Sequence, residues 1–391
     1  RNMEKLATMV EKDIAPYVKM EAEKSKDDIV KFEDELRQYK ADIAKESFYI
    51  YKTGVPGAFK RLEYVKGQLS EYDEKVSNFD YFSRMFGLTD GAKVAGETLG
   101  TIKAEVEQIT KLWNHIDRSE QKFHEYLAKQ WGDLVPADME DEIKKLRKEL
   151  QDLRGLDRKS SAYTGIAEDL KKWATFIPLL TELKDPAMEV EDHRHWLEVQ
   201  HETKKEFSVN EETPLQIIWD LRLFELKDRI EEIADKAKQE AKMEKALNKI
   251  DEKWKEVAFE RQQHKDTNIM LLKMSDDNFE ALEDNQVQIQ NMSASKYLAY
   301  FESKVLGWRD SLTAVYDVIQ LLSDVQKDWS FLENLFMQSE EVMKELPHES
   351  ERFRDIDKRV KEILEEGNKI MNILKFCNQE NIYKRLDDVT K

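Results

Sequence analysis

Apolar positions recur every three or four residues along most of the chain, which is the spacing of one face of an α-helix. The clearest run follows Pro214 and comprises Leu226, Ile230, Ile233, Ala237, Ala241, Leu247, Ile250, Trp254 and Val257. No glycine occurs between Gly165 and Gly307, and no segment shows convincing strand alternation. The pattern predicts an all-α protein built from elongated bundles of long helices. It predicts one helix of about 45 residues between Pro214 and Phe259.

Capping residues and helix breakers predict where these helices begin and end. Thr213–Pro214 and Asp185–Pro186 each place a capping side chain before a proline, which favours a helix start. Ser275 is followed by two aspartates, another N-terminal signal. Gly307 predicts an interruption, and Leu346–Pro347 predicts a helix end.

The segment 53–100 differs from the rest because it holds seven of the twelve glycines. Glycine weakens helices and favours turns. We therefore expect loops or a hinge in this segment.

Three of the seven histidines lie within nine residues: His193, His195 and His201. On a helix that begins at Pro186, the first two would point about 200° apart, and the third would lie more than two turns from His193. Such side chains cannot converge on one metal ion. The same spacing places His195 beside Met188 and Val199 on an apolar stripe, so it predicts a buried His195 and an exposed His193.

Motifs for catalysis or cofactor binding are incomplete. The stretches "HEYLA" (124–128) and "HETKK" (201–205) lack the second histidine of a zinc-protease motif. The glycines between 87 and 100 lack the Gly-Lys-Ser/Thr ending of a phosphate-binding loop. Cys377 has no base nearby in sequence and is predicted to be a small apolar side chain. The chain is therefore predicted to be non-enzymatic, with no catalytic residue, cofactor or metal.

Composition narrows the range of partners. Charged residues make up 37% of the 391 residues, and the net charge is −18, which disfavours nucleic acid and acidic membranes. No apolar stretch is long enough to cross a bilayer. A single cysteine fits a reducing compartment. The chain begins at Arg1 without an initiator methionine, so we expect a piece of a longer protein.

Five segments, in order, resemble the end of the tail and the start of the linker of dynein heavy chains. They are "FIPLLTELKDPAMEVEDHRHW" (176–196), "RIEEIADKAKQEAKMEKALNKIDEKW" (229–254), "LEDNQVQIQNMSASKYLAYF" (282–301), "VQKDWSFLENLF" (325–336) and "SEEVMKELPHESERFRDID" (339–357). The sequence of "LEDNQVQIQNM" is most similar to that of axonemal, outer-arm chains.

The resemblance implies that 1–160 form the C-terminal part of the tail and 161–391 the start of the linker. In such motors the tail assembles with intermediate chains, light chains and other heavy chains. The linker is a helical lever that transmits the power stroke of an AAA+ ring, which lies farther along the same chain and binds ATP and magnesium. Microtubule contact occurs mainly through other parts of the parent. The implied location is the cytoplasm and cytoskeleton, in the axoneme of a cilium or flagellum.

Residues with a predicted mechanical role lie in the resembling segments or on apolar stripes: Met188, Arg194, His195, Trp196, Trp254, Leu282, Trp308, Trp329, Leu346 and Pro347. Two other classes of protein remain as alternatives. A spectrin-like or coiled-coil scaffold would show a fixed repeat or sustained heptads, and neither is evident. A helical enzyme would need convergent ligands or an activated nucleophile.

Overall fold

The computed structural model describes residues 2–88, 91–190 and 192–391. Helices dominate it, which confirms the all-α class. The α-helices are α1 (Asn2–Met9), α2 (Ala15–Ile43), α3 (Gly54–Met85), α4 (Lys93–Ala128), α5 (Pro136–Asp152), α6 (Ser161–Leu183), α7 (Arg194–Thr203), α8 (Leu215–Asp220), α9 (Lys227–Glu256), α10 (Asp276–Ser293), α11 (Glu302–Gln338), α12 (Glu340–Glu345), α13 (Pro347–Ile370), α14 (Ile373–Cys377) and α15 (Ile382–Thr390). A π-helical turn, Val10–Ile14, joins α1 to α2.

The chain divides into two compact units. The first comprises Arg1–Asp185 with Asp192–Ile233, and the second comprises Pro186–Glu191 with Ala234–Lys391. The main boundary therefore falls inside α9. The predicted division at 160/161 separates tail from linker by resemblance and falls between α5 and α6, within the first unit. It stays a prediction.

The first unit is built around the antiparallel pair α3 and α4. Its buried side chains follow helix spacing, as Ala58, Leu62, Val65 and Leu69 do on α3. α2 covers this pair through a face that includes Phe32. α5 and α6 continue the unit with further apolar stripes.

The second unit packs α9, α10, α11, α13, α14 and α15 around one apolar core. A β-hairpin completes it, with β1 (Glu260–Gln263) antiparallel to β2 (Met270–Lys273). Leu272 is the buried residue of β2. Gly367 on α13 lets it approach, because a Cβ there would lie 2.2 Å from Leu272 Cδ1.

The expectation of no significant sheet is confirmed, but this small hairpin was not predicted. All four residues of β1 are polar and exposed, so the strand has no apolar alternation to detect. Contacts from neighbouring helices hold the hairpin instead. Gln326 on α11 donates to Leu272 O at 2.9 Å and accepts from Leu272 N at 2.7 Å. Asn368 on α13 donates to Met270 O at 2.8 Å.

The prediction of one 45-residue helix was wrong. It is divided into α8, a 3-10 turn at Leu223–Glu225, and α9. Arg222 adopts a left-handed conformation (φ 57°), which ends helical geometry at that point. Leu221 and Leu223 are both buried around this turn. Apolar residues buried by a compact turn imitate helix spacing over a short stretch.

The helix predicted to begin at Pro186 is absent. Pro186–Met188 form a 3-10 turn, and α7 begins only at Arg194. His193 precedes α7 in a left-handed conformation (φ 51°), so His193 and His195 do not share a helix. Similarly, Thr213 does not cap a helix; its hydroxyl hydrogen-bonds with Asn210. The helix start predicted at Ser275 is confirmed, because its Oγ accepts from Asn278 N.

The glycines of segment 53–100 did not predict the loops correctly. Most of the segment 53–100 lies in α3 and α4, and the connection between them spans only 86–92, of which 89 and 90 lie outside the described residues. α11 continues through Gly307 without the predicted interruption. Leu346 ends α12 as predicted, but Pro347 is the first residue of α13.

Within the described ranges, no helix combines the length and apolar character needed to cross a bilayer.

Candidate functional site

Three tryptophans join neighbouring helices of the second unit through their indole N–H groups. Trp254 on α9 is completely buried, and its Nε1 donates to Asn285 Oδ1 on α10 at 3.0 Å. It follows Leu247 and Ile250 on the buried face of α9. A buried indole needs such an acceptor because leaving its N–H without a partner costs about 1–3 kcal/mol.

Trp308 connects α11 to α9. Its Nε1 donates to Asp251 Oδ1 at 2.7 Å, and Lys304 Nζ lies 2.9 Å from Asp251 Oδ2. Both carboxylate oxygens of Asp251 are thus engaged by α11. Bonds to an ionised acceptor are stronger than neutral ones.

Trp329 connects α11 to α13 in the same manner. Its Nε1 donates to Asp357 Oδ1 at 3.0 Å, and Lys361 Nζ lies 2.7 Å from Asp357 Oδ2. Trp329 and Asp357 are both buried. Removing one partner of such a buried charged group is costly, because the other stays desolvated.

The turn of the β-hairpin also meets this region. The His264 ring lies 4.7 Å from the Trp329 ring, centroid to centroid, and His264 Nε2 is 2.8 Å from Glu333 Oε2. Lys265 Nζ also donates to Glu333 Oε2, at 2.8 Å. Burial acts to raise the pKa of Glu333, but the hydrogen bonds from His264 and Lys265 outweigh it and leave that pKa below its usual value.

Asn372 fixes the end of α9 to the start of α14. Its Nδ2 lies 3.0 Å from Trp254 O, 3.1 Å from Lys255 O and 3.1 Å from Val257 O. Its Oδ1 accepts from Lys375 N at 2.9 Å, which caps α14. One side chain therefore satisfies carbonyls at a helix end and an amide at a helix start.

In the first unit, the burial predicted for His195 and the exposure predicted for His193 are confirmed. Val199 and His195 are buried, His193 is exposed, and Trp196 is half-buried. Trp196 packs edge-on against Trp131 at 5.9 Å and Phe207 at 6.1 Å, centroid to centroid. Met188, which belongs to the second unit, is also buried.

The other predicted residues have varied environments. Arg194 begins α7, is half-buried, and forms an ion pair with Asp192 at 3.1 Å. Leu282 is completely buried in α10. Leu346 and Pro347 are exposed at the junction of α12 and α13. The structure thus brings together Trp254, Leu282, Trp308 and Trp329 in one core region, whereas Arg194, His195 and Trp196 lie in the first unit.

Sequence reasoning missed a second group of aromatic contacts. Trp173 on α6 stacks on Trp219 of α8 with centroids 4.2 Å apart. Trp113 on α4 donates through Nε1 to Phe48 O at 2.7 Å. Trp131 belongs to a loop whose carbonyls accept from Lys184 Nζ. The sequence shows that these residues are tryptophans, which often pack in cores. Helix spacing does not reveal which rings contact each other.

Burial shifts the pKa values of two groups, His115 and Cys377, toward their neutral forms. Burial, with a smaller effect from Arg118, lowers the pKa of His115 on α4 to about 4. Burial alone raises the pKa of the Cys377 thiol. In the part of the chain that the structure describes, no three His, Cys, Asp or Glu side chains come together as metal ligands would. The arrangement is suited to fixing helices relative to one another.

Comparison with known proteins shows the family to which the chain belongs. A family model described as "Dynein heavy chain, N-terminal region 2" matches residues 99–391, about three quarters of the chain. The chain therefore belongs to the dynein heavy chain family and corresponds to part of the N-terminal region of such chains. The resemblance drawn from 176–357 is confirmed.

Individual relatives extend the similarity over almost the whole chain. The dynein alpha chain of the flagellar outer arm of Chlamydomonas reinhardtii is 32% identical over 386 residues, or 98% of this chain. The ciliary dynein beta chain of Tripneustes gratilla is 30% identical over 388 residues, or 99% of it. Human dynein axonemal heavy chain 17 is 29% identical over 393 residues, covering 100%. This chain spans only 8%, 8% and 9% of these relatives, respectively.

Proposed function

We propose that residues 1–391 are a noncatalytic segment of an axonemal dynein heavy chain, comprising the end of the tail and the start of the linker, and that they act as a helical lever. They would join the tail to the ATPase ring and transmit the power stroke during ciliary or flagellar beating. The observation that carries this proposal is the set of indole contacts through which Trp254, Trp308 and Trp329 connect α9, α10, α11 and α13. Helices held by directional bonds as well as by apolar packing move as one body, so displacement at one end is not absorbed within the bundle.

The names of the relatives support the proposed location, and membership of the dynein heavy chain family supports the proposed partners. The three relatives are named as flagellar, ciliary and axonemal chains, and we assign this chain to the same cytoskeletal compartment. Its partners would be intermediate and light chains, other heavy chains, and the AAA+ ring of its own parent. ATP and magnesium would bind in that ring. Residues 1–391 alone should therefore give no heat of ATP binding in calorimetry, and micromolar affinity would contradict the noncatalytic role.

The lever role is tested in the full-length motor with Trp308→Ala and Trp329→Ala combined. These changes remove two of the connections between α11 and its neighbours but touch no nucleotide-binding element. We expect basal ATPase activity within about twofold of the wild type and a severalfold lower microtubule gliding speed.

Phe331→Ala is the matched control, because Phe331 is an aromatic residue of the same helix but is 71% exposed. It should leave both activities unchanged. Thermal unfolding of residues 1–391 would establish that the tryptophan variant still folds. Unchanged gliding in a folded double variant would exclude the lever role for this part of the chain.

A further inference from the structure

The first helical segment carries an apolar row that no described residue covers. Between residues 2 and 28 no side chain is buried. Eight large apolar side chains there are 42% to 86% exposed: Met3, Leu6, Met9, Val10, Ile14, Tyr17, Val18 and Met20. Five of them, Met3, Leu6, Val10, Ile14 and Val18, form the N-terminal apolar row. Contiguous exposed apolar surface of this kind marks an interaction site.

The row lies on the same face of the helix as an interface that is already formed. Val18 precedes Ile29 by eleven residues and Leu36 by eighteen, close to three and five whole helical turns. Ile29, Phe32 and Leu36 are buried, and Phe32 meets Phe79 of α3 with ring centroids 5.1 Å apart. The exposed row therefore continues the face that packs on α3 and α4.

The π-helical turn keeps the row aligned with that face. In an uninterrupted α-helix, Met3, Leu6 and Val10 would lie on average about 90° around the axis from Leu36, counting about 100° per residue. Val10–Ile14 adds one residue to a turn, with Ala15 N donating to Val10 O. The extra residue rotates the preceding part back by about 100°. The row before the turn thus returns to the packed face.

The helix projects past the elements that cover its other half. α2 runs antiparallel to α3, since Tyr39 bonds Gln68 while Phe32 meets Phe79. Beyond Phe79, the α3–α4 pair ends in exposed apolar side chains: Tyr81, Phe82, Met85 and Val94. The 27 residues before Ile29 extend about 40 Å at 1.5 Å per residue.

We propose that this N-terminal apolar row (Met3, Leu6, Val10, Ile14 and Val18) is the docking surface for a second antiparallel pair of amphipathic helices. These helices belong to the same heavy chain, outside residues 1–391, and their end abuts Tyr81, Phe82, Met85 and Val94. They would cover the row as α3 and α4 cover the rest of α2.

The choice of occupant follows from continuity and charge. A face already covered by one helical pair has the shape and chemistry to take another. Residues 2–28 carry five lysines and seven carboxylates, so neither an acidic membrane nor a strongly basic partner is favoured. The chain spans 8% of its relatives, so a parent of that length offers ample further sequence at high effective concentration. The inference shares one requirement with the proposed function: residues 1–391 must belong to a longer heavy chain.

Hydrogen exchange of residues 3–18 provides the test, measured in 1–391 and in the intact parent. We expect these amides to exchange at least tenfold more slowly in the parent. Leu6→Ser, Val10→Ser and Ile14→Ser combined should return the parent to within twofold of 1–391. Lys5→Ser, Lys12→Ser and Lys19→Ser combined are the control on the same helix and should retain protection.

A photoreactive benzophenone in place of the Leu6 side chain identifies the occupant. A cross-link to a peptide of the same heavy chain outside residues 1–391 supports the proposal. Equal exchange in the two forms, or a cross-link to a second copy or to another protein, overturns it. Neither measurement depends on ATPase activity or gliding, so failure of the lever role leaves this test intact.

Discussion

The side-chain amide of Gln326 forms two hydrogen bonds with the backbone of Leu272, one to its carbonyl oxygen and one from its amide. The amide acts as an added strand would, because it satisfies the outward-facing edge of β2 at that residue. Gln326 is itself buried on α11. The hairpin is thus fixed to the helical core by its backbone as well as by the Leu272 side chain.

Replacing Gln326 with methionine should destabilise the second unit by about 1–3 kcal/mol, since two buried backbone groups of Leu272 lose their partners. Methionine is close to glutamine in shape but cannot form either hydrogen bond. Exchange of the Leu272 amide should accelerate at least tenfold. Gln320→Met, at an exposed position of the same helix, should have little effect. An unchanged Leu272 amide would show that the pairing does not hold the hairpin.

Gly367→Ala should cost the second unit about 1–3 kcal/mol, the usual cost of overpacking a core. The new Cβ would lie 2.2 Å from Leu272 Cδ1 and 3.3 Å from Phe376 Cε2. The bonds to Gln326 hold the Leu272 backbone in place, so its side chain can yield only by changing rotamer inside a packed core. Gly307→Ala is the control: no atom lies within 4 Å of its added Cβ, so stability should rise by about 0.5–1 kcal/mol. Urea unfolding should therefore move in opposite directions for the two variants.

Trp196→Ala should destabilise the first unit by about 1–3 kcal/mol, less than the 3–5 kcal/mol typical of a fully buried tryptophan. The ring is half-buried and makes edge contacts with Trp131 and Phe207. Leu197→Ala, next to it but 54% exposed, should be nearly neutral. Similar thermal unfolding of the two variants would contradict a packing role for Trp196.

His115 should make the first unit less stable as the pH falls below 6.5. The unfolded chain takes up a proton near the ordinary pKa of 6.5, whereas the folded chain resists until about 4. The unfolded state therefore binds more protons between these values, and stability falls with decreasing pH. At pH 5.8 this group should account for a loss of about 1 kcal/mol.

The measurement compares urea unfolding of the wild type and His115→Gln at pH 7.5 and 5.8. Taking the difference between proteins removes the contribution of the other titrating groups. The wild type should lose about 1 kcal/mol more than the variant. Equal losses would mean that His115 is protonated equally in both states.

Helix content and most buried stripes could be predicted from the sequence, because three- and four-residue spacing reports local geometry directly. What the sequence did not reveal depends on partners far along the chain. β1 is polar on both faces, and it pairs with β2. Gln326 and Asn368 hold β2 in place through hydrogen bonds to its backbone. The break at Arg222 interrupts an apolar pattern that would suit a continuous helix.

The same limit applies to the candidate site. Residue type and stripe position singled out Trp254, Trp308 and Trp329. Their acceptors Asn285, Asp251 and Asp357 are ordinary polar residues with no distinguishing spacing. They lie 31, 57 and 28 positions from their donors, so only the folded chain brings each pair together.

The Asn372 contacts have a consequence for the order in which the protein is made. Asn372 is 118 positions after Trp254, whose carbonyl it helps to satisfy. At about 5–20 residues per second, a ribosome adds Asn372 roughly 6–24 s after Trp254. During that interval the end of α9 has been synthesised but lacks the side chain that completes it. Until then the carbonyl oxygens of Trp254, Lys255 and Val257 lack the Asn372 amide, so the second unit cannot be completed before its last helices have been made.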